Sequence, residues 1–107
     1  MEKGMIKVCV FYPNGEGKTF DMDYYLSNHA SLVSETLGSA LQGASYDKGL
    51  GGAAPDAPAE YVAIANLHFK SLEDFGKAFE AGAETLMSDL PNFTNIEPVI
   101  QVSEVVG

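Results

Sequence analysis

The chain has 107 residues, 46% hydrophobic and 20% charged, which is the composition of one globular domain with a modest core that would gain from a partner subunit. Its formal charge of −9 repels phosphate backbones and no lysine cluster offsets it, so nucleic acid is excluded as a partner; no run approaches the roughly 20 apolar residues of a membrane span. The lone cysteine, Cys9, cannot form an internal disulfide, and the N-terminus lacks a secretory apolar segment, which together point to the cytoplasm.

Residues 1–4 read as a flexible extension, with Met1 and Met5 both possible starts, and residues 5–107 as a single domain. Met5 to Tyr12 is β-branched and aromatic and stops at Pro13-Asn14-Gly15, which predicts a strand and a turn. Asp21 is a good N-cap and Asp23 suits the first helical turn, so a helix is expected from about Met22 to Leu37, stopped by Gly38. Within it Tyr25, His29, Leu32 and Thr36 share helical spacing, and Leu26, Val33 and Leu37 extend the packing face.

Residues 41–48 have weak strand character. Residues 49–58 form a Gly/Ala/Pro loop, expected to be a mobile hairpin connection and a candidate lid. Glu60 to Phe69 is the clearest strand, with Tyr61, Ala63, Ala65, Leu67 and Phe69 on one face and Val62, Ile64, Asn66 and His68 on the other. Ser71 with Asp74 opens a second helix, whose stripe Leu72, Phe75, Phe79, Gly82 and Leu86 is core; Pro91-Asn92 ends it. Glu97 to Val106 is the last strand.

The order βαββαβ predicts an α+β, ferredoxin-like fold: a four-stranded antiparallel sheet with two helices on one face. Apolar residues at both parities of the first, third and fourth strands suggest that the other face is also covered. A second copy of the chain, in a homodimer joined through the sheet faces, is the natural cover.

Few residues offer chemistry. Tyr25 and His29, four apart on one helix, set a phenol beside an imidazole. The pair can move a proton and orient a carbonyl, or it can simply pack between helix and sheet. Tyr24 points about 100° away from Tyr25, so one lines a pocket and the other packs elsewhere; Tyr25 is the better candidate, with Tyr24 as a further ligand contact. Asn66 and His68 are polar on one strand face and either line the cleft or are satisfied at an interface or strand end. Tyr12 and Gln101 are weaker lining candidates. Cys9 reads as strand packing. No dense His, Cys or carboxylate spacing indicates a metal, and the Gly49–Gly52 segment lacks the context of a phosphate loop, so neither metal nor cofactor is expected.

The segment Lys18-Thr19-Phe20-Asp21-Met22-Asp23-Tyr24-Tyr25-Leu26-Ser27-Asn28-His29 resembles the signature of the ethyl tert-butyl ether degradation (EthD) family: a Phe-Asp pair, adjacent tyrosines, and a histidine four residues after the second. The strand Val8-x-Val10-Phe11-Tyr12-Pro13-Asn14, the stretch from Ala65 to Phe75 and the terminal Phe93-x-Asn95 are similar to it as well. The resemblance implies a dimeric α/β barrel with a cleft between sheet and helices in each subunit, and makes His29 the family histidine. It also implies relatives by fold among isomerases, cyclases and monooxygenases that use no metal or flavin. Two functions are therefore expected to compete. One is a cofactor-free enzyme, isomerase/cyclase-like or oxidoreductase-like, acting on a small apolar carbonyl, phenolic or lactone compound with His29 as acid/base and Tyr25 beside it. The other is a non-catalytic protein that binds such a compound or assists an oxidative degradation pathway.

Overall fold

Strand alternation sets the architecture. In β1 (Ile6–Pro13), Ile6, Val8 and Tyr12 are buried on one face, while Lys7, Cys9 and Phe11 turn to the other. The structure, a computed structural model, describes residues 3–107. β1 is central: it pairs antiparallel with β3 (Tyr61–Phe69) on one side and β4 (Val99–Glu104) on the other. β2 (Gly43–Lys48) adds to the free edge of β3, giving the order β2-β3-β1-β4. The expected ferredoxin-like sheet is present, and the predicted faces of β3 hold from Ala63 to Phe69; at the register slip beside Tyr12 and Pro13 the alternation breaks, so Tyr61 lies against Phe11 on the face away from the helices and Val62 packs with the helix-side cluster.

The first helix has three parts: α over Met22–Tyr24, a wide π turn over Tyr25–His29, and α over Ala30–Leu37. Asp21 caps it, its carboxylate accepting from the Tyr24 N–H at 3.1 Å, and Gly38 ends it at a φ of 60°. The second helix, Leu72–Asp89, is capped by Ser71, whose hydroxyl accepts from the Asp74 N–H at 3.1 Å. Both helices cover the same sheet face. Val33, Leu37 and Leu86 pack there on Ile6, Val8, Leu67 and Phe69. Among the described residues no helix is long and apolar enough to cross a membrane.

The π turn corrects part of the expected packing face. A residue four positions on overshoots a full α-helical turn by about 40°. A turn closed by the Ala30 N–H on the Tyr25 carbonyl holds more residues, so the same step falls short of a full turn. Tyr25, His29, Val33 and Leu37 therefore stay in one buried row, and Leu26 is left 50% exposed. Leu72, at the start of the second helix, is likewise 62% exposed because the helix reaches the sheet only further along.

Of residues 1–4, Met1 and Glu2 lie outside the described residues. The Gly4 N–H donates to the Val105 carbonyl at 2.8 Å, so the chain is tied to the sheet just before β1. Loop 49–58 prolongs the β2–β3 hairpin, with the Gly49 N–H on the Val62 carbonyl and the Gly52 N–H on the Ala57 carbonyl, both at 2.9 Å.

The two helices meet where Gly82 lies against Thr36; a Cβ at position 82 would collide with Thr36 Cγ2. Gly82→Val is therefore expected to lower stability by about 1–3 kcal/mol through overpacking, read as a fall in the urea midpoint at unchanged slope.

Candidate active site

The buried row of the first helix looks onto the sheet where β3 carries small residues. Ala65 stands between Val10 of β1 and Tyr46 of β2 in the pairing register. Its short side chain leaves space that Tyr46, Tyr12 and Tyr25 surround. The result is a cavity of about 40 Å³, lined by these tyrosines and His29, with Val10, Leu67, Leu86 and Ile100 among its apolar walls. Three or so waters, or a few ligand atoms, fit in that volume.

His29 is held from behind. Asp89, the last residue of the second helix, approaches His29 Nδ1 at 2.9 Å. The same carboxylate accepts from the Tyr24 hydroxyl at 2.7 Å and from the Asn92 amide at 2.9 Å. Burial pushes the Asp89 carboxyl up, but hydrogen bonds from Asn92, Tyr24 and His29, with the His29 charge, outweigh it and hold the group below the usual carboxylate range. An ionised carboxylate only accepts, so Nδ1 carries a proton, and in the neutral imidazole the lone pair is left on Nε2. Among the described residues nothing donates to Nε2.

Tyr25 is fully buried, its ring stacked on His29 at a centroid distance of 5.9 Å and 16° between planes. Burial pushes both the Tyr25 and Tyr12 phenols above their usual range, with the neighbouring phenols adding to it, and burial does the same to Tyr46. All three remain protonated near neutral pH. The hydroxyls of Tyr25 and Tyr46 are buried and, among the described residues, find no hydrogen-bond partner.

Four of the residues singled out in the sequence are thus brought together: His29, Tyr25 and Tyr12 around the cavity, and Tyr24 behind His29 on Asp89 rather than in the lining. Asn66, His68 and Gln101 are not brought there. They stand on the sheet face away from the helices, where the Asn66 amide donates to Asp47 at 2.8 Å and accepts from the Cys9 thiol at 3.5 Å. Burial and the nearby Lys7 push His68 below the usual imidazole range. Since His29 and His68 occupy opposite faces, they cannot share one metal ion. No residue of loop 49–58 lines the cavity.

Sequence reasoning missed Asp89 and Tyr46. Tyr46 lay in a segment with weak strand character. Asp89 had one signal: a carboxylate in the last turn of a helix, where the dipole disfavours it, needs local compensation.

Fold and site together define a ferredoxin-like α+β protein with an apolar pocket between sheet and helices, edged by a carboxylate-bound histidine and tyrosines. The chain belongs to the EthD family, whose domain model matches residues 14–97. It is 42% identical to an EthD-like protein of Ralstonia eutropha JMP134, covering 99% of this chain and 96% of that one with a TM-score of 0.91. An EthD family protein of Bacillus halodurans C-125 shares the fold at 16% identity, with a TM-score of 0.65 over 94% of this chain and 97% of that one. So does a hydroxynitrile lyase of Passiflora edulis at 12% identity, with a TM-score of 0.69 over 97% of this chain and 95% of that one. The comparison with curated proteins gives no match.

The lowered Asp89 value has a signed consequence. Its stabilising contribution is complete above the unfolded carboxylate value of about 3.9 and is lost as pH falls through the lower folded value. Thermal melts from pH 5 to pH 2 should therefore show a shallower acid decline for Asp89→Asn than for the wild type.

Proposed function

We propose that the chain is a cofactor-free enzyme that moves a proton on a small, mostly apolar carbonyl, phenolic or lactone compound. The observation that carries this reading is the 2.9 Å contact of Asp89 with His29 Nδ1. It fixes the tautomer that presents Nε2 as a base, and it stabilises the imidazolium formed when that base is used. In the simplest step, Nε2 takes a proton from the carbon beside a carbonyl. The C–H electron pair moves into the new carbon–carbon double bond as the carbonyl electrons collect on oxygen, giving an enolate. In this reading Tyr25, a neutral donor, binds that oxygen. The proton then returns to the same carbon or to a neighbouring one. That a hydroxynitrile lyase has this fold fits an enzymatic use of the cleft, without assigning its reaction here.

The apolar walls of the cavity also favour a second reading, in which the protein holds such a compound without transforming it. In either case the free thiol of Cys9 suits the reducing cytoplasm.

The working unit in this proposal is a homodimer. The sheet face away from the helices carries Phe11, Tyr61, Ile64 and Val99, and in the single chain Val99 is 54% exposed. A second copy laid on this face would bury that surface.

Two measurements test these readings. In D2O, NMR should show the wild type accelerating deuterium uptake beside the carbonyl of small ketones, and His29→Ala should lose roughly 10²–10⁴-fold of that rate. No acceleration by the wild type, with ligand-induced thermal shifts retained, would leave the binding reading. For the assembly, sedimentation should give a dimer for the wild type and a folded monomer for Ile64→Asp; a monomeric wild type would refute the dimer.

A further inference from the structure

The unpaired hydroxyls of Tyr25 and Tyr46 point to the kind of ligand the cavity takes. A buried hydroxyl without a partner forfeits the hydrogen bonds it made in water, so two beside one cavity call for an acceptor from outside the chain. The two rings meet edge to face, with centroids 5.5 Å apart and planes at 89°, and both line the same cavity. Their positions are fixed independently. Tyr25 sits on the π turn of the first helix, fully buried, and Tyr46 reaches in from β2 over the small Ala65.

The rest of the lining restricts the acceptor. The chain has no arginine, and among the described residues no lysine lines the cavity. An anionic ligand would lie buried without a counter-charge and close to the ionised Asp89. A neutral carbonyl oxygen, with two lone pairs, accepts from both phenols at no such cost.

We propose that Tyr46 joins Tyr25 as a two-donor site for the oxygen of an uncharged carbonyl ligand, making Tyr46 a binding and specificity residue. The inference deepens the proton-transfer reading: the same two donors hold the oxygen on which charge collects while His29 Nε2 works at the adjacent carbon. Ketones, aldehydes, esters and lactones fit this site, and carboxylates do not.

The test uses acetone as probe, with acetate as the anionic control, on the full chain. Binding is followed by NMR titration and the bound C=O stretch by infrared difference spectroscopy. The wild type should bind the ketone and lower its stretch relative to the ketone in hexane. Tyr25→Phe and Tyr46→Phe keep the rings and remove only unpaired hydroxyls, so both should fold, which thermal melts verify. Each should weaken ketone binding roughly three- to tenfold and move the stretch back up. The proposal is overturned if the wild type does not bind the ketone, if Tyr46→Phe leaves affinity and stretch unchanged, or if the carboxylate binds as well as the ketone. His29→Ala separates the two readings. A lowered stretch retained in that variant, together with no deuterium exchange by the wild type, supports the oxygen site and removes only the proton transfer.

Discussion

One carboxylate organises the site. Asp89 receives donors from the first helix, through His29 and Tyr24, and from the turn beyond its own helix, through Asn92. It stands at a helix C-terminus, where the backbone dipole works against a negative charge, and those three donors supply the compensation. The arrangement joins the two helices by a polar link at one end while apolar packing joins them along their length. The orientation of His29 and the place of Tyr24 depend on it.

Much of this was legible in the sequence, and what was not has physical reasons. From Ala63 to Phe69, strand alternation in β3 gave the correct two faces because an apolar row and a mixed row are distinct at period two, while the register slip that turns Tyr61 to the other face left no such mark. The spacing of Tyr25 and His29 gave their stack because neighbours four apart meet in any helical turn of that size. The π turn has no residue signature, so the exposure of Leu26 could not be read. Asp89 lies sixty residues from His29, and only tertiary packing brings them together. Asn66, His68 and Gln101 attracted attention as polar residues on strands. Yet the apolar row of β3 already marked the helix-covered face, and parity placed Asn66 and His68 on the other side. The EthD resemblance carried His29 further than spacing alone did.

The interior divides its labour between two clusters. One, built on Ile6, Val8, Val33, Leu37, Leu67, Phe69 and Leu86, is aliphatic apart from one ring and serves stability. The other is aromatic. Phe93 touches the rings of Tyr12, Phe20, Tyr24, Tyr25 and His29 at centroid distances from 4.7 to 6.1 Å. Asn95 fixes the neighbouring loop, accepting from the Thr19 N–H and donating to the Gly17 carbonyl, both at 2.9 Å. Two unpaired hydroxyls inside this cluster cost on the order of 1–3 kcal/mol each. Against a total stability of about 5–15 kcal/mol for a small domain, that is a substantial cost.

The close approach at Gly82 gives the molecule a mechanical property. Gly82 precedes Asp89 by seven residues, about 10 Å along the helix axis, so the contact with Thr36 is a fulcrum and the last two turns are a lever arm. The tilt of the second helix at that point sets how far the carboxylate reaches toward the imidazole. A small residue remote from the cavity thereby calibrates the distance on which the histidine's tautomer depends, and chains of this fold with bulkier residues there would hold the two groups at a different reach without altering either one.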